Sequence, residues 1–199
     1  MEAQTFFDIL ARAAKLKTTL RHCWFEDGRQ ESVADHSWRL ALMALLLSGE
    51  EAFRDADMDK VIRMCLIHDL GEAFTGDIPT FLKTESQTVT EDDCYAAWLT
   101  TFPEPQRAEW EALLAEMNAL KTKEAQIYKA LDKLEALISH NEADLATWLP
   151  LEYGLQLTYG QENMKCSPYF MELRKAVDAW SCRKAGMQAP EGGGNEAET

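Results

Sequence analysis

Apolar residues recur along this chain at helical spacing and almost nowhere in alternation. Phe6, Phe7, Ile9, Leu10, Ala13, Ala14 and Leu16 follow the three-and-four rhythm of an amphipathic helix over residues 3–17. Residues 20–31 hold Gly28 among mixed polarity and read as a loop. Ser32-Val33-Ala34-Asp35 then carries the capping-box pattern, a hydroxyl with an acidic side chain three residues on. It opens a strongly apolar helix that runs from Trp38 through Leu47 and stops at Ser48-Gly49. The run Val61-Ile62-Arg63-Met64-Cys65-Leu66-Ile67 belongs to a helix over 58–70, with Gly71 as its stop signal. Gly71, Gly76, Pro79 and several Ser and Thr predict a loop over 71–90, with room for one short helix. Further helices are predicted at about 91–101, 105–120, 122–140, 144–159 and 168–184. Pro103, Pro105, Pro150 and Pro168 sit at or near those boundaries, as proline should. No internal repeat and no long strand-like alternation stands out, so the pattern is all-α.

Composition narrows the class. With 199 residues, of which 46% are apolar, the chain suits one domain with one core. We expect that domain over 1–185. The stretch from Gly186 to Thr199, with Pro190-Glu191-Gly192-Gly193-Gly194, reads as a disordered tail. No apolar run approaches the roughly 18 residues of a membrane span. Met1-Glu2-Ala3-Gln4-Thr5 lacks the basic start of a signal peptide, so no membrane role and a cytoplasmic location are expected. Cys23, Cys65, Cys94, Cys166 and Cys182 are scattered without a CxxC and read as reduced thiols. The net charge of −14 argues against nucleic-acid binding. A small phosphorylated substrate would need a local positive centre, from a metal or a placed Arg.

Candidate chemistry gathers around His68-Asp69. A neutral imidazole beside a carboxylate offers two good ligands to a divalent metal. A carboxylate near a helix C-terminus also conflicts with the negative end of the macrodipole, and a nearby cation would relieve that conflict. Adjacent helical side chains diverge by roughly 100°, so the two converge only where the chain turns. A capped helix end with a solvated Asp explains the same doublet. His36 falls in the first turn after the Ser32 cap, where the positive helix end favours the neutral ring that a metal needs. A histidine hydrogen-bonded near a helix start is the plainer reading. Cys65, one turn before His68, lacks a second Cys/His pair and reads as a buried thiol. Glu72 and Asp77 are carboxylates within reach of general acid–base work, although the chain holds 34 acids and most must be solvated. Arg21 suits a phosphate and Trp24 a base or sugar, or else a core. No phosphate-cradling glycine loop, HExxH or GxSxG is present.

His36, His68-Asp69 and a later helical Asp resemble the HD superfamily of metal-dependent phosphohydrolases. The match is closer to one branch. Leu16-Lys17, Arg21, Trp24, Glu31-Ser32-Val33-Ala34-Asp35-His36-Ser37, His68-Asp69-Leu70-Gly71-Glu72-Ala73 and Gly76-Asp77-Ile78-Pro79 look like the bacterial 5′-deoxynucleotidases and their eukaryotic HD-domain relatives. The resemblance covers roughly residues 5–160 and implies an all-α HD-domain helical bundle. It implies metal ligands at His36, His68, Asp69 and Asp132, the last within Ala130-Leu131-Asp132-Lys133-Leu134-Glu135. On the helical wheel Ile127, Leu131, Leu134 and Ile138 form the core stripe, and Asp132 lies roughly 120° from its centre. That position is a flank, and Asp144 stands as the spare candidate.

By the same resemblance Glu72 manages the proton of the attacking water, Asp77 positions substrate, and Arg21 with Trp24 binds it. The bacterial nucleotidases place Trp directly after this Arg. Here that neighbour is His22, as the eukaryotic relatives' spacing to Trp24 would have it, and 2′-deoxy selectivity stays open. The implied cofactor is one divalent transition metal, with Mn, Co, Fe, Ni and Zn all suited to a mixed nitrogen and oxygen set. The expected activity is hydrolysis of (deoxy)ribonucleoside 5′-monophosphates to nucleoside and phosphate. Alternatives are another nucleotide phosphoester (a di- or triphosphate, or an alarmone) and an inactive helical regulatory domain. Apolar helices beyond the core could form a homodimer face.

Overall fold

The structure, a computed structural model, describes residues 1–187. Helix α1 (Ala3–Ala13) runs into a 3-10 turn (Ala14–Lys17). Strands β1 (Leu20–Trp24) and β2 (Gln30–Ser32) follow, then α2 (Val33–Leu47), α3 (Met58–Ile67) and the short α4 (Glu72–Thr75). The rest is α5 (Glu85–Leu99), α6 (Gln106–Ala119), α7 (Lys123–Glu142), α8 (Pro150–Thr158), the short α9 (Gln161–Met164) and α10 (Pro168–Ala185). The all-α expectation holds apart from one small ribbon.

That ribbon lies where a loop is predicted. β1 and β2 pair antiparallel around a tight turn, in which the Phe25 carbonyl accepts the Gly28 N–H at 3.0 Å and Phe25 donates to the Arg29 carbonyl at 2.8 Å. The strands are five and three residues long, and a register irregularity between Leu20 and Trp24 breaks the alternation that would have betrayed them.

Helix starts match their caps. The Ser32 hydroxyl accepts the Asp35 N–H at 3.1 Å and the Asp35 carboxylate accepts the Ser32 N–H at 2.9 Å, so α2 opens with the expected box. α5 begins at Glu85, earlier than its apolar residues suggest, because Thr84 and Gln87 form a second such box. α3 ends at Ile67, three residues before the predicted end, and Gly71 is not a left-handed stop. Its φ is −58°, and its small size matters instead, since a Cβ there would stand 2.8 Å from Glu91 Cγ. The predicted helix over 144–159 is broken by a 3-10 turn (Leu145–Thr147), and α8 starts at Pro150 in the first-turn position that suits proline. Gly186, left-handed at φ 65°, closes α10. Most of the predicted disordered tail, residues 188–199, lies outside the described residues.

α7 is the central element and packs on α2, α3, α6, α9 and α10. One hydrophobic cluster extends from Leu16 to Val177 and includes Leu40, Val61, Met64, Leu99, Leu131, Leu134 and Phe170. α1 contributes no fully buried residue. Its Phe6, Phe7 and Leu10 stay about half exposed, and Trp38, Leu45 and Leu46 on α2 more than half. Among the described residues no helix is long and apolar enough to cross a membrane.

Candidate active site

A cavity of about 540 Å³ opens between β1, the segment after α4, α7 and α8. Its lining includes Arg21, Asp69, Glu72, Asp77, Lys129, Asp132 and Lys133. Five of the residues singled out from sequence therefore meet on one surface, and the two histidines lie buried against it.

His36 sits in the first turn of α2, where the Ser32 cap fixes the backbone. Its Nε2 lies 3.2 Å from Nε2 of His68, 3.5 Å from Asp132 Oδ1 and 3.8 Å from Asp69 Oδ2. His68 Nε2 is 2.9 Å from Asp69 Oδ2 and 3.8 Å from Asp132 Oδ1. The doublet converges because α3 ends one residue earlier and the chain turns through His68 and Asp69. Donor atoms of His36, His68 and Asp69 all lie within 4.8 Å of one another.

Each imidazole is oriented from behind. His36 Nδ1 donates to Glu135 Oε2, and His68 Nδ1 donates to the Cys65 carbonyl at 2.9 Å. Both hydrogen bonds leave Nε2 as the free lone pair, the tautomer a metal requires. Cys65 thus serves through its backbone, and its buried thiol is pushed up by burial. Glu135 is in turn held by Arg39 Nε at 2.7 Å and the Ser139 hydroxyl at 2.8 Å. Glu31, His36 and Glu135 form a second group of clustered donor atoms. There, Arg21 at 3.0 Å from Glu31 and Arg39 beside Glu135 already supply the balancing charge.

The charges of the cluster are strongly coupled to their surroundings. Burial raises the Asp132 carboxyl, but Lys129 at 2.9 Å, Lys133 at 3.2 Å and His36 outweigh it and hold the carboxyl well below its usual range. Burial is likewise outweighed at Asp69 by His68 and His36. Burial and the Arg21 charge push His36 toward neutrality, yet Glu135 and Asp132 prevail, and the protein groups alone hold it at about 9. Burial opposes ionisation of Glu135 too, but His36, Arg21 and Arg39 bring it down to about 2. A proton and a cation therefore compete for the same Nε2 position. Two imidazole nitrogens and two ionised carboxylates that face one another fit a divalent ion by donor chemistry.

Glu72 and Asp77 line the cavity beside the cluster. Burial first, then Asp69, Asp77 and Glu91, push Glu72 up to about 11. Its Oε2 is buried without a hydrogen-bond partner among the described residues. Burial also raises Asp77, which Arg21, Lys83 and a hydrogen bond with Glu72 partly draw back. Arg21 is partly buried beside Glu31, with Nη1 3.8 Å from Asp69 Oδ2, so its fork faces the cluster.

Two sequence expectations change. Trp24 does not line the cavity. It stands edge-on to His22, with ring centroids 4.8 Å apart, and His22 with Phe81 forms the wall there. Asp144, the spare ligand, is exposed and caps the turn after α7 through the Ala146 N–H at 2.9 Å. Asp132 itself is buried, although the wheel puts it on a flank. α7 is enclosed on two sides, with Asp132, Glu135 and Ser139 forming a polar stripe beside the apolar one. Sequence reasoning also missed Lys129 and Lys133, whose only signal is their place one turn before and one residue after Asp132. Lys133 is fixed by the Tyr159 hydroxyl at 2.7 Å, and a Cβ on Gly160 (φ 70°) would collide with its Cβ at 2.5 Å.

Residues 13–174 match the HD domain family. The 5′-deoxynucleotidase HDDC2 of Dictyostelium discoideum is 33% identical over 145 residues, covering 69% of this chain and 75% of its own. The human protein of the same name is 28% identical over 144 residues, covering 70% and 69%. A crystal structure from Magnetospirillum magnetotacticum, described as a predicted metal-dependent phosphohydrolase, superposes with a TM-score of 0.79 at 29% identity. That superposition covers 94% of this chain and 98% of the other.

Proposed function

Because the chain belongs to the HD domain family, we propose that it is a metal-dependent phosphohydrolase that converts nucleoside 5′-monophosphates, deoxyribonucleotides among them, to nucleoside and inorganic phosphate. The observation that carries this reading is the convergence of His36, His68, Asp69 and Asp132 behind a cavity that Asp69 and Asp132 line together with Arg21, Lys129 and Lys133. Arg21, Lys83, Lys129 and Lys133 stand among the carboxylates of that lining, and a bound divalent ion would add the further positive charge that a phosphate substrate demands in a chain of net charge −14. The names of the nucleotidase relatives support the substrate class.

His36, His68, Asp69 and Asp132 would hold one divalent transition ion, with Mn, Co, Fe, Ni and Zn as the candidates. When bound, such an ion neutralises phosphoryl charge and makes water more acidic. Arg21, held by Glu31, grips phosphate oxygens with its fork. With a cation at the cluster drawing its carboxyl down from about 11, Glu72 would take the proton of the attacking water, and Asp77 beside it would position substrate. Lys129 and Lys133 hold Asp132 and add charge beside the phosphate. Residues 1–185 act as one HD unit in this reading, with no nucleic acid as partner. The exposed apolar residues of α1 and α2 would face a second copy, which sedimentation velocity tests.

The experiment is phosphate release from a panel of ribo- and deoxyribonucleoside monophosphates, with Mn, Co and Mg compared and products identified. Phosphate with free nucleoside is expected. Pyrophosphate or triphosphate, released only from longer nucleotides, would point to the other phosphoesterase reading. Absence of both turnover and metal affinity would favour a regulatory domain.

A further inference from the structure

The end of the cavity away from the cation cluster carries a second group of titratable side chains that the reaction does not use. Glu152 Oε1 lies 3.3 Å from His22 Nε2 and 3.3 Å from His140 Nε2, so two imidazoles share one carboxylate oxygen. All three residues line the cavity. Glu152 is buried and fixed, because its Oε2 accepts the Leu149 N–H at 2.6 Å at the start of α8. Burial and the neighbouring His22 keep His140 toward its neutral form against the pull of Glu152. His140 Nδ1 is buried with no hydrogen-bond partner among the described residues.

The spacing along α7 sets the distance. Asp132 and His140 are eight residues apart, about 12 Å along the helix axis. Ala136, halfway between them, also lines the cavity and leaves room above the helix. That span is about the reach of a nucleoside monophosphate from its phosphorus to the far side of its nucleoside. A carboxylate offers about four lone-pair positions, and a neutral imidazole nitrogen offers one. The Leu149 N–H takes one position of Glu152 and two imidazole nitrogens face its Oε1, which leaves about one carboxylate position and the unpartnered His140 Nδ1 as acceptors.

We propose that Glu152, with His22 and His140, forms the nucleoside-reading end of the cavity and accepts hydrogen bonds from hydroxyl or amino donors of the nucleoside. This rests on the nucleotidase reading for the identity of the ligand. A carboxylate that accepts a ligand donor contributes more than a neutral group would, so its loss weakens binding about tenfold or more.

Calorimetric binding of nucleosides that lack phosphate reads this end of the cavity apart from catalysis. Deoxyadenosine, 2′,3′-dideoxyadenosine and thymidine are titrated into the full-length protein and into Glu152→Gln, His140→Ala and His140→Asn. The expected result is at least a tenfold rise in Kd for deoxyadenosine with Glu152→Gln and His140→Ala, and partial recovery with His140→Asn, which restores an acceptor. Loss confined to nucleosides with a 3′-hydroxyl assigns the sugar as donor, and loss absent with thymidine assigns the base amine. Unchanged Kd in these variants, or no nucleoside binding by the parent protein, overturns the proposal. Thermal unfolding of each variant identifies one that fails to fold, and the His140 pair then decides. Phosphate release by the parent protein is scored separately, so failure of the catalytic reading is distinguishable.

Discussion

The two buried sides of α7 are enclosed alike and built on opposite principles. Ile127, Leu131 and Leu134 pack into the hydrophobic cluster and draw their stability from apolar area removed from water. Asp132, Glu135 and Ser139 are buried too, Asp132 at the cavity edge, yet they are held by His36, Arg39, Lys129 and Lys133. Burying charges is expensive, and a paired charge rarely outperforms a well-packed apolar residue of the same size. A polar stripe this deep therefore points to function, while the apolar stripe holds the helix in place. Substitutions on the two sides should separate stability from activity.

The largest effect is expected at Asp69, a proposed ligand opposite the helix. Asp69→Ala should lose bound metal and phosphate release together while keeping a cooperative thermal transition. Full metal occupancy in that variant, measured by elemental analysis, would remove Asp69 from the ligand set. On the apolar side, Leu131→Ala should destabilise by about 2–5 kcal/mol. Calorimetry should show the fall in Tm, with metal stoichiometry unchanged below the transition. Glu72→Gln should retain metal and slow turnover about a hundredfold. It should also stabilise the metal-stripped protein in mildly alkaline buffer. Between the unfolded value of 4.5 and about 11, the native state keeps a proton on Glu72 that the unfolded chain has released, so stability falls as pH rises. Removing the titrating group should flatten that slope. The smallest effect is expected at Glu135→Gln, which leaves His36 Nδ1 with an uncharged partner and should weaken metal affinity about 10- to 100-fold.

Much of this was readable in the chain before any coordinates. The capping box at Ser32 placed His36 in a first helical turn, and the Val61–Ile67 run placed His68-Asp69 near a helix end, although the predicted helix ran on to residue 70. Resemblance supplied Asp132, which the helical wheel left on a flank. The wheel failed there because it assumes one buried face, and α7 has two. The hairpin over Leu20–Ser32 was hidden by its short strands and irregular register, and with it the placing of His22 rather than Trp24 at the cavity wall. Apart from the place of Lys129 and Lys133 beside Asp132, these lysines and the Glu152 group carry no local signature. Their meaning depends on α7 and α8 lying side by side along the same cavity.

Metal titration of Asp132→Ala beside the parent protein tests the account most directly, with thermal unfolding of both in the stripped state. The account predicts one equivalent of Mn or Co bound by the parent and none by the variant, whose stripped form unfolds no earlier than the parent's. A variant that keeps its metal equivalent, or one that loses it only because the helix no longer folds, would contradict the division of labour across α7.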